Sequence, residues 1–249
     1  MDAGHPSLVY RELVPPARLK GLIECVWTLQ ANDDFCQNVL PDGCTDLLLR
    51  NQRGGPFLDV VGVMTRSQEV RAYAGDSFIG IRLRPGVAGS VLPVSAGRIT
   101  DQIQPLAAYE PERARRFAEK LARADHPSEL LALVETFLEP AITETRVQRA
   151  IDLQVAHHGT RPLEELYDVS GLGPRQFRRV CMDRTGLTPK LLSRILRFRH
   201  VAQALENRSR PDLASLALES GYSDQAHMNH EFRVFAGASP TRHRLIRNP

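Results

Sequence analysis

The sequence predicts an α+β chain of two domains: a β-rich, barrel- or sandwich-like N-terminal domain with trailing helices, and an all-α C-terminal domain. Three observations carry that class. Residues 7–104 hold β-branched and aromatic runs separated by turn signals. Near residue 105 the apolar spacing changes to the three-and-four pattern of helices. Beyond Thr143 come seven short helical stretches, and part of that series repeats about fifty residues on.

Taken in order, "LIECVWTLQ" is the first strand run, and "NVLPDGCTDLLL" places Pro41-Asp42-Gly43 as a turn between two more. "FLDVVGVM" and "FIGIRLRPG" follow; in the latter Ile79, Ile81 and Leu83 alternate with Gly80, Arg82 and Arg84. "EPERARRFAEKLARA" is helical, with Pro111 at its start and Phe117 and Leu121 on one face. "SELLALVETFLE" is a second helix, ended by Pro140. It sets Leu130, Val134 and Phe137 on one face and Leu131 and Leu138 on another, more than one covered side needs. The second face is expected to meet another copy of the chain in a two-fold dimer, the alternative being that both faces are buried within one chain. The boundary falls at about 140–143, giving domains 1–140 and 143–249.

In the second domain Thr143 is the expected cap of "ETRVQRAIDLQVAHHG", with Gly159 as its stop. "PLEELYDVSG", "PRQFRRVCMDRTG", "PKLLSRILRFRHVAQALEN", "DLASLALESG", "DQAHMNHEFRVFAG" and "SPTRHRLIR" complete the seven. Leu163, Leu166, Ser170 and Gly171 recur as Leu213, Leu216, Ser220 and Gly221, and each Gly leads into a further helix. Helix, Gly-containing turn, helix is the helix-turn-helix pattern, here present twice. With Phe177 buried, a step of about 100° per residue turns Arg175, Arg179 and Met182 outward and leaves Arg178 on the flank. With Met228 buried, Ala226, His230 and Arg233 turn outward, flanked by Gln225 and Asn229. Between the units, Leu191, Ile195, Phe198, Ala202 and Leu205 form one seam on a helix of about 16 residues, or about 24 Å. Such a connector suits two reading helices in successive major grooves, about 34 Å apart.

Charge supports the same partner. Residues 141–249 carry 17 Lys and Arg against 11 Asp and Glu, a net +6, and all but Lys190 of those cations are Arg. Residues 1–140 carry 15 against 18. Arg forks onto phosphate and guanine edges, and Asn or Gln onto adenine. A solvated helix face is the plain alternative for either helix alone; the repeat and the basic half weigh against it.

Other chemistries find little footing. The 249 residues are 42% apolar, enough for a real core, with no run of about 18 apolar residues to span a membrane. The start, "MDAGHPSLVYREL", has neither basic nor apolar signal regions. Cys25, Cys36, Cys44 and Cys181 are too scattered for a disulfide scaffold, which suits a reducing cytoplasm. The spacing of the first three matches no tight zinc pattern, so they read as buried thiols. Before residue 141 the only histidines are His5 and His126, too few for a convergent catalytic site. No catalytic residue, metal or cofactor is expected. Arg82 and Arg84 read as strand-surface ion pairs or, alternatively, as anchors for an anionic effector; Trp27, Tyr73 and Phe78 read as core or as pocket walls. His157 and His158 suit a helix C-terminus.

At "GLTPKLLSRILRFRHVAQAL" and "DLASLALESGYSDQAHMNHEFRVFAGASPTRHR" the chain resembles the AraC/XylS family of bacterial transcription regulators, over about residues 143–246. The resemblance implies base contacts from Arg175, Arg178 and Arg179 in the first recognition helix and from Gln225, Ala226, Asn229 and His230 in the second. Tyr167 stands where the family usually has a small residue, Gly173 where a capping Ser is usual, His230 for Arg, and Cys181 for a bulkier apolar residue. "LPDGCTDLLL" and "GIRLRPGVAGSVL" more weakly resemble a β-rich N-terminal domain of some members, implying a sensor or dimerising role. Repair methyltransferases with this DNA-binding type need a fourth N-terminal cysteine, which is missing. The expectation is a cytoplasmic regulator that binds double-stranded promoter DNA, tuned by a small-molecule effector, with RNA polymerase and a second copy as protein partners. The rivals are a constitutive DNA binder whose N-terminal domain only dimerises, and a small-molecule enzyme fused to a DNA-binding domain.

Overall fold

The computed structural model describes residues 8–52, 55–138, 145–207 and 211–242. Strands β1 (Leu8–Leu13), β2 (Ile23–Ala31), β3 (Phe35–Val39), β4 (Thr45–Gln52), β5 (Gly55–Val61), β6 (Gln68–Ala72), β7 (Ser77–Leu83) and β8 (Ile103–Pro105) form two antiparallel sheets. Six of them lie in the order β1-β2-β7-β4-β5-β8, and β3 pairs with β6 in a separate ribbon. Among the described residues β1 and β8 are unpaired edges, so the sheet is open and not a closed barrel. The expected strand runs correspond to β2, β4, β5 and β7, and the run before Pro41 to the end of β3, at Asn38 and Val39. The strands β1 and β6, the start of β3 and the three-residue β8 were not expected.

Alternation decides what covers the sheet. Ile79, Ile81 and Leu83 lie opposite Leu49, Leu47 and Thr45 on one side and Thr28, Val26 and Ile23 on the other. That apolar face is covered by α2 (Pro111–Arg123) and α3 (Pro127–Leu138), with Phe117, Leu121, Val134 and Phe137 in its core. Full burial of each such side chain contributes about 1.5–3 kcal/mol. Phe117 and Phe137 stack with centroids 4.1 Å apart. The expected partner face of α3 is corrected here. Leu138 is fully buried and Leu131 packs half-buried against the same core, because α3 packs on α2, which lies on β4 and β5, and spends both apolar faces within the chain.

A short helix α1 (Ala88–Val91) precedes these two, and six longer helices follow them: α4 (Arg146–Ala156), α5 (Leu163–Ser170), α6 (Pro174–Thr185), α7 (Pro189–Asn207), α8 (Leu213–Glu219) and α9 (Gln225–Ala236). Of the expected seventh stretch, residues 240–242 are helical and the rest lies outside the described residues. Thr143 lies outside them too, as does the expected boundary at 140–143; the cap of α4 is Thr145, whose hydroxyl accepts from Gln148 N at 3.1 Å. Helix α4 stops at Ala156, before Gly159. Helix α7 is 19 residues long, about 28 Å. Its seam residues Ile195, Phe198, Ala202 and Leu205 are buried and Leu191 is half-buried. Phe198 packs on Phe232 and Phe235 of α9 at 4.9 and 5.2 Å. This second core also takes in Val63, from the loop after β5.

Candidate nucleic-acid interface

The repeat seen in the sequence is also a repeat of backbone. At the end of α5, Gly171 N donates to Asp168 O and Leu172 N to Tyr167 O, both at 3.2 Å. At the end of α8, Gly221 N donates to Leu218 O and Tyr222 N to Ala217 O, both at 3.0 Å. Gly171 and Gly221 take φ of 66° and 76°, a left-handed turn that suits glycine. Buried Phe177 and Cys181 then hold α6 against the core, as Met228 and Phe232 hold α9. Tyr167 meets Phe177 edge-on at 5.6 Å, so the larger side chain is packed within the unit.

These anchors fix the outer faces. On α6, Arg175, Arg178 and Arg179 are exposed and have no ion pair among the described residues, while Met182 is half-buried against the N-terminal domain near Gly97. On α9, Ala226, His230 and Arg233 are exposed; Gln225 and Asn229 are half-buried, and Asn229 Oδ1 is turned in. Gln176 and His227 are exposed as well. Counting angles from one buried residue passed over them, because the first turn of a helix has no preceding turn to cover it. His227 meets Tyr222 edge-on at 5.3 Å, and its Nδ1 lies 3.1 Å from Ser223 Oγ. Asp224 caps α9 by accepting from His227 N at 2.7 Å, and this hydrogen bond holds its carboxyl below the usual aspartate range. Glu231, 7% exposed, takes Arg194 of α7 in a two-pronged ion pair, 2.7 and 2.8 Å. The pair fixes the rotation of α9 about its own axis, and hence which side chains turn outward.

The N-terminal candidates go elsewhere. Arg82 lies between Asp42 and Asp46 at 3.4 and 3.5 Å, and Arg84 pairs with Asp152 of α4 at 3.2 Å. Desolvation pushes the Asp46 carboxyl up to about 7 against the pull of Arg82. Trp27 covers Gly80, where a Cβ would fall 1.9 Å from the indole. Tyr73 is exposed, and Phe78 lines a groove of 320 Å³ beside Arg11, Asn51, Ile79 and Leu121. Both motifs that suggested an N-terminal domain type touch the helical domain. Glu24, the bulged residue of β2, pairs with Arg199 of α7, whose guanidinium also donates to Asp42 O at 3.4 Å. Gly43 faces Leu192 and Leu196, and Gln148 Nε2 donates to Pro85 O at 3.0 Å.

Of the three N-terminal cysteines expected to be buried, Cys25 and Cys44 are; Cys36 is exposed, because it lies on the thin β3-β6 ribbon with no layer over it. Burial pushes the Cys25 thiol up to about 12 and that of Cys181 up to about 11. His158 stacks on His200 at 4.1 Å. Among the described residues no group of three or more His, Cys, Asp or Glu is placed to hold a metal ion, and no helix is long and apolar enough to cross a membrane.

Residues 166–245 match the family model described as Helix-turn-helix domain, and residues 11–105 match Domain of unknown function (DUF6597). A comparison with curated proteins finds no match. Among solved structures, the DNA-binding domain of the global transcriptional factor AdpA, in complex with a target DNA, is similar at 20% identity, over 41% of this chain and 93% of that one, with a TM-score of 0.39. ToxT from Vibrio cholerae is similar at 9% identity, over 98% of this chain and 100% of that one, TM-score 0.49. Unsaturated fatty acid bound ToxT from strain SCE256 is similar at 10% identity, over 98% and 97%, TM-score 0.44.

Proposed function

We propose that this chain, a DNA-binding transcription regulator with an AraC-type helix-turn-helix domain at its C-terminus, reads two adjacent elements of promoter DNA, one with each unit. One observation carries the reading: two units of the same backbone, joined by the 19-residue α7, turn polar side chains that have no ion pair among the described residues outward from α6 and α9. Arg175, Arg178 and Arg179 suit guanine edges and phosphates in one major groove. Gln225, Asn229 and His230 suit amide- and imidazole-type readout in the next, with Ala226 against a thymine methyl. An effector that binds the N-terminal domain tunes this activity by favouring one arrangement of the two domains over another, which requires unequal affinity for the two. The pairs Glu24–Arg199 and Arg84–Asp152 are where such a difference would be felt. A second copy of the chain and RNA polymerase are its protein partners at the promoter in this reading.

The test is selection of binding sites from random DNA with the full chain, followed by footprinting. Two protected elements about one helical turn apart are expected. Affinity should fall linearly on a log–log plot against salt, with a slope of about 0.9 per phosphate neutralised. A single protected element, or a slope near zero, rejects the reading.

A further inference from the structure

The two recognition helices end alike. Helix α6 stops at Gly186 and α9 at Gly237, with φ of 74° and 70°. Such ends leave carbonyls without an intrahelical donor. In both cases the N-terminal domain supplies one. Thr100 Oγ1 donates to Gly186 O at 2.8 Å, and Ser67 N donates to Phe235 O at 2.8 Å.

One loop, residues 62–67, spans from one end to the other. Val63 is 1% exposed and belongs to the helical core; a Cβ at Gly186 would fall 2.7 Å from its Cγ1. Four residues later Ser67 reaches α9. The loop is tied to the segment behind it along its length. Gly62 N donates to Gln102 O at 2.9 Å, and Asp101 N to Val63 O at 3.0 Å. The Asp101 carboxylate accepts from Thr65 N at 2.7 Å and from Thr65 Oγ1 at 2.6 Å. Asp101 itself has a φ of 57°, a left-handed conformation that a non-glycine residue keeps only when its surroundings hold it there.

We propose that residues 62–67, backed by Thr100 and Asp101, are a splint that fixes the distance and angle at which α6 and α9 present themselves to DNA. Within the helical domain the units share one core along α7, and the turn at Gly221 lies against Thr160, ahead of α5. A second strut between the far ends of the recognition helices closes the frame. Thr65, Ser67, Thr100 and Asp101 are then positioning residues: they touch no base and set where others do. The inference rests on the two-element reading above.

One inserted base pair moves the second element by about 3.4 Å and turns it by about 35°, so a rigid frame loses one groove. The experiment takes the selected site and versions with one base pair added or removed between its elements. Affinities are measured for the full chain, for Asp101→Gly and for Thr100→Val. Glycine accepts the left-handed backbone while removing both carboxylate bonds, and valine is close in shape to threonine. The parent chain is expected to lose affinity by about tenfold or more on altered spacing, the range of a mismatched contact. Each variant is expected to lose about threefold or less while keeping the parent's preference among bases at the original spacing. Equal spacing penalties in parent and Thr100→Val overturn the splint, whether or not Asp101→Gly folds. If the parent itself is indifferent to spacing, the two-element reading falls instead.

Discussion

At the start of α6, Gly173 offers no side chain to the free amides, whereas at the same point of the second unit Asp224 takes the His227 N–H at 2.7 Å. Helix α5 likewise begins at Pro162 without a side-chain cap, while Asp212 accepts from Ala214 N and Ser215 N, both at 3.2 Å, ahead of α8. The second unit is held by its own side chains and by the Arg194–Glu231 pair to the connector. The first leans more on the N-terminal domain, which meets α6 through Ser95–Asp183, Ser90–Arg184 and Thr100–Gly186 but α9 through Ser67 N to Phe235 O. Their outer faces differ in the same sense, three arginines on α6 against amides, imidazoles and the single Arg233 on α9. A unit that reads through charge needs less exact placement than one that reads through neutral hydrogen bonds, since Coulomb attraction falls off more gently than hydrogen-bond geometry. The firm local anchoring of α9 fits that demand.

The sharpest way to break this contrast is Glu231→Ala. It removes the carboxylate and leaves Arg194, itself 31% exposed, without its partner. The expected loss is about 2–3 kcal/mol, below that of a fully buried pair because the guanidinium can reach water. Chemical unfolding of the full chain checks it. pH offers a second handle. Burial pushes the Glu231 carboxyl up, but the hydrogen bond and charge of Arg194 outweigh it and hold it below its ordinary 4.5. A lowered carboxyl stabilises the fold fully above 4.5, and that contribution is lost as pH falls through the lowered value. The acid side of the stability profile should therefore be flatter in Glu231→Ala than in the parent.

The outer faces are compared next. Arg179→Ala is expected to cost about 1–3 kcal/mol on the selected site and to relax preference at one base pair. Asn229→Ala should change preference in the other element and leave the salt slope as it was. Affinity on single-base variants of both elements separates the two. Equal weakening by Arg179→Ala on specific and random DNA would assign it to phosphate.

How much of this was legible beforehand depended on sequence distance. The helix-turn-helix repeat showed because each unit writes its turn glycine and its apolar spacing within about twenty residues. Outward faces followed from one buried residue per helix, with errors in the first turns, at Gln176 and His227, and at Met182, which the N-terminal domain covers. Thr145 and Thr143 offered the same capping chemistry two residues apart, and side-chain type could not choose between them. The second face of α3 looked open to a partner because nothing in its own sequence says that the N-terminal core takes up both of its apolar faces. The docking of the two domains was invisible for the same reason. Glu24 and Arg199 stand 175 residues apart, and Ser67 reaches α9 through a backbone N–H that any residue but proline would supply.

The caps give the smaller tests. Asp224→Ala removes the acceptor at the start of α9, so the chain should melt earlier than the parent, with the second unit losing amide protection in hydrogen exchange before the first.

The reverse change belongs on the other unit. Gly173 has φ −66° and ψ 161°, a backbone that any residue accepts, and a Cβ there would meet nothing within 4 Å. Serine would place a hydroxyl where it can accept from the free N–H of Gln176, two residues past Pro174. Glycine is already a tolerable cap, so the gain is small, a few tenths of a kcal/mol, or about 1 °C in melting temperature. Gly173→Ala is the control, because it adds the Cβ without an acceptor and should fall below the parent. Serine above glycine above alanine would mean that the first unit lacks a cap the second one has. Serine and alanine melting together would mean that the N-terminal domain's hold on the far end of α6 already makes its first turn indifferent to capping.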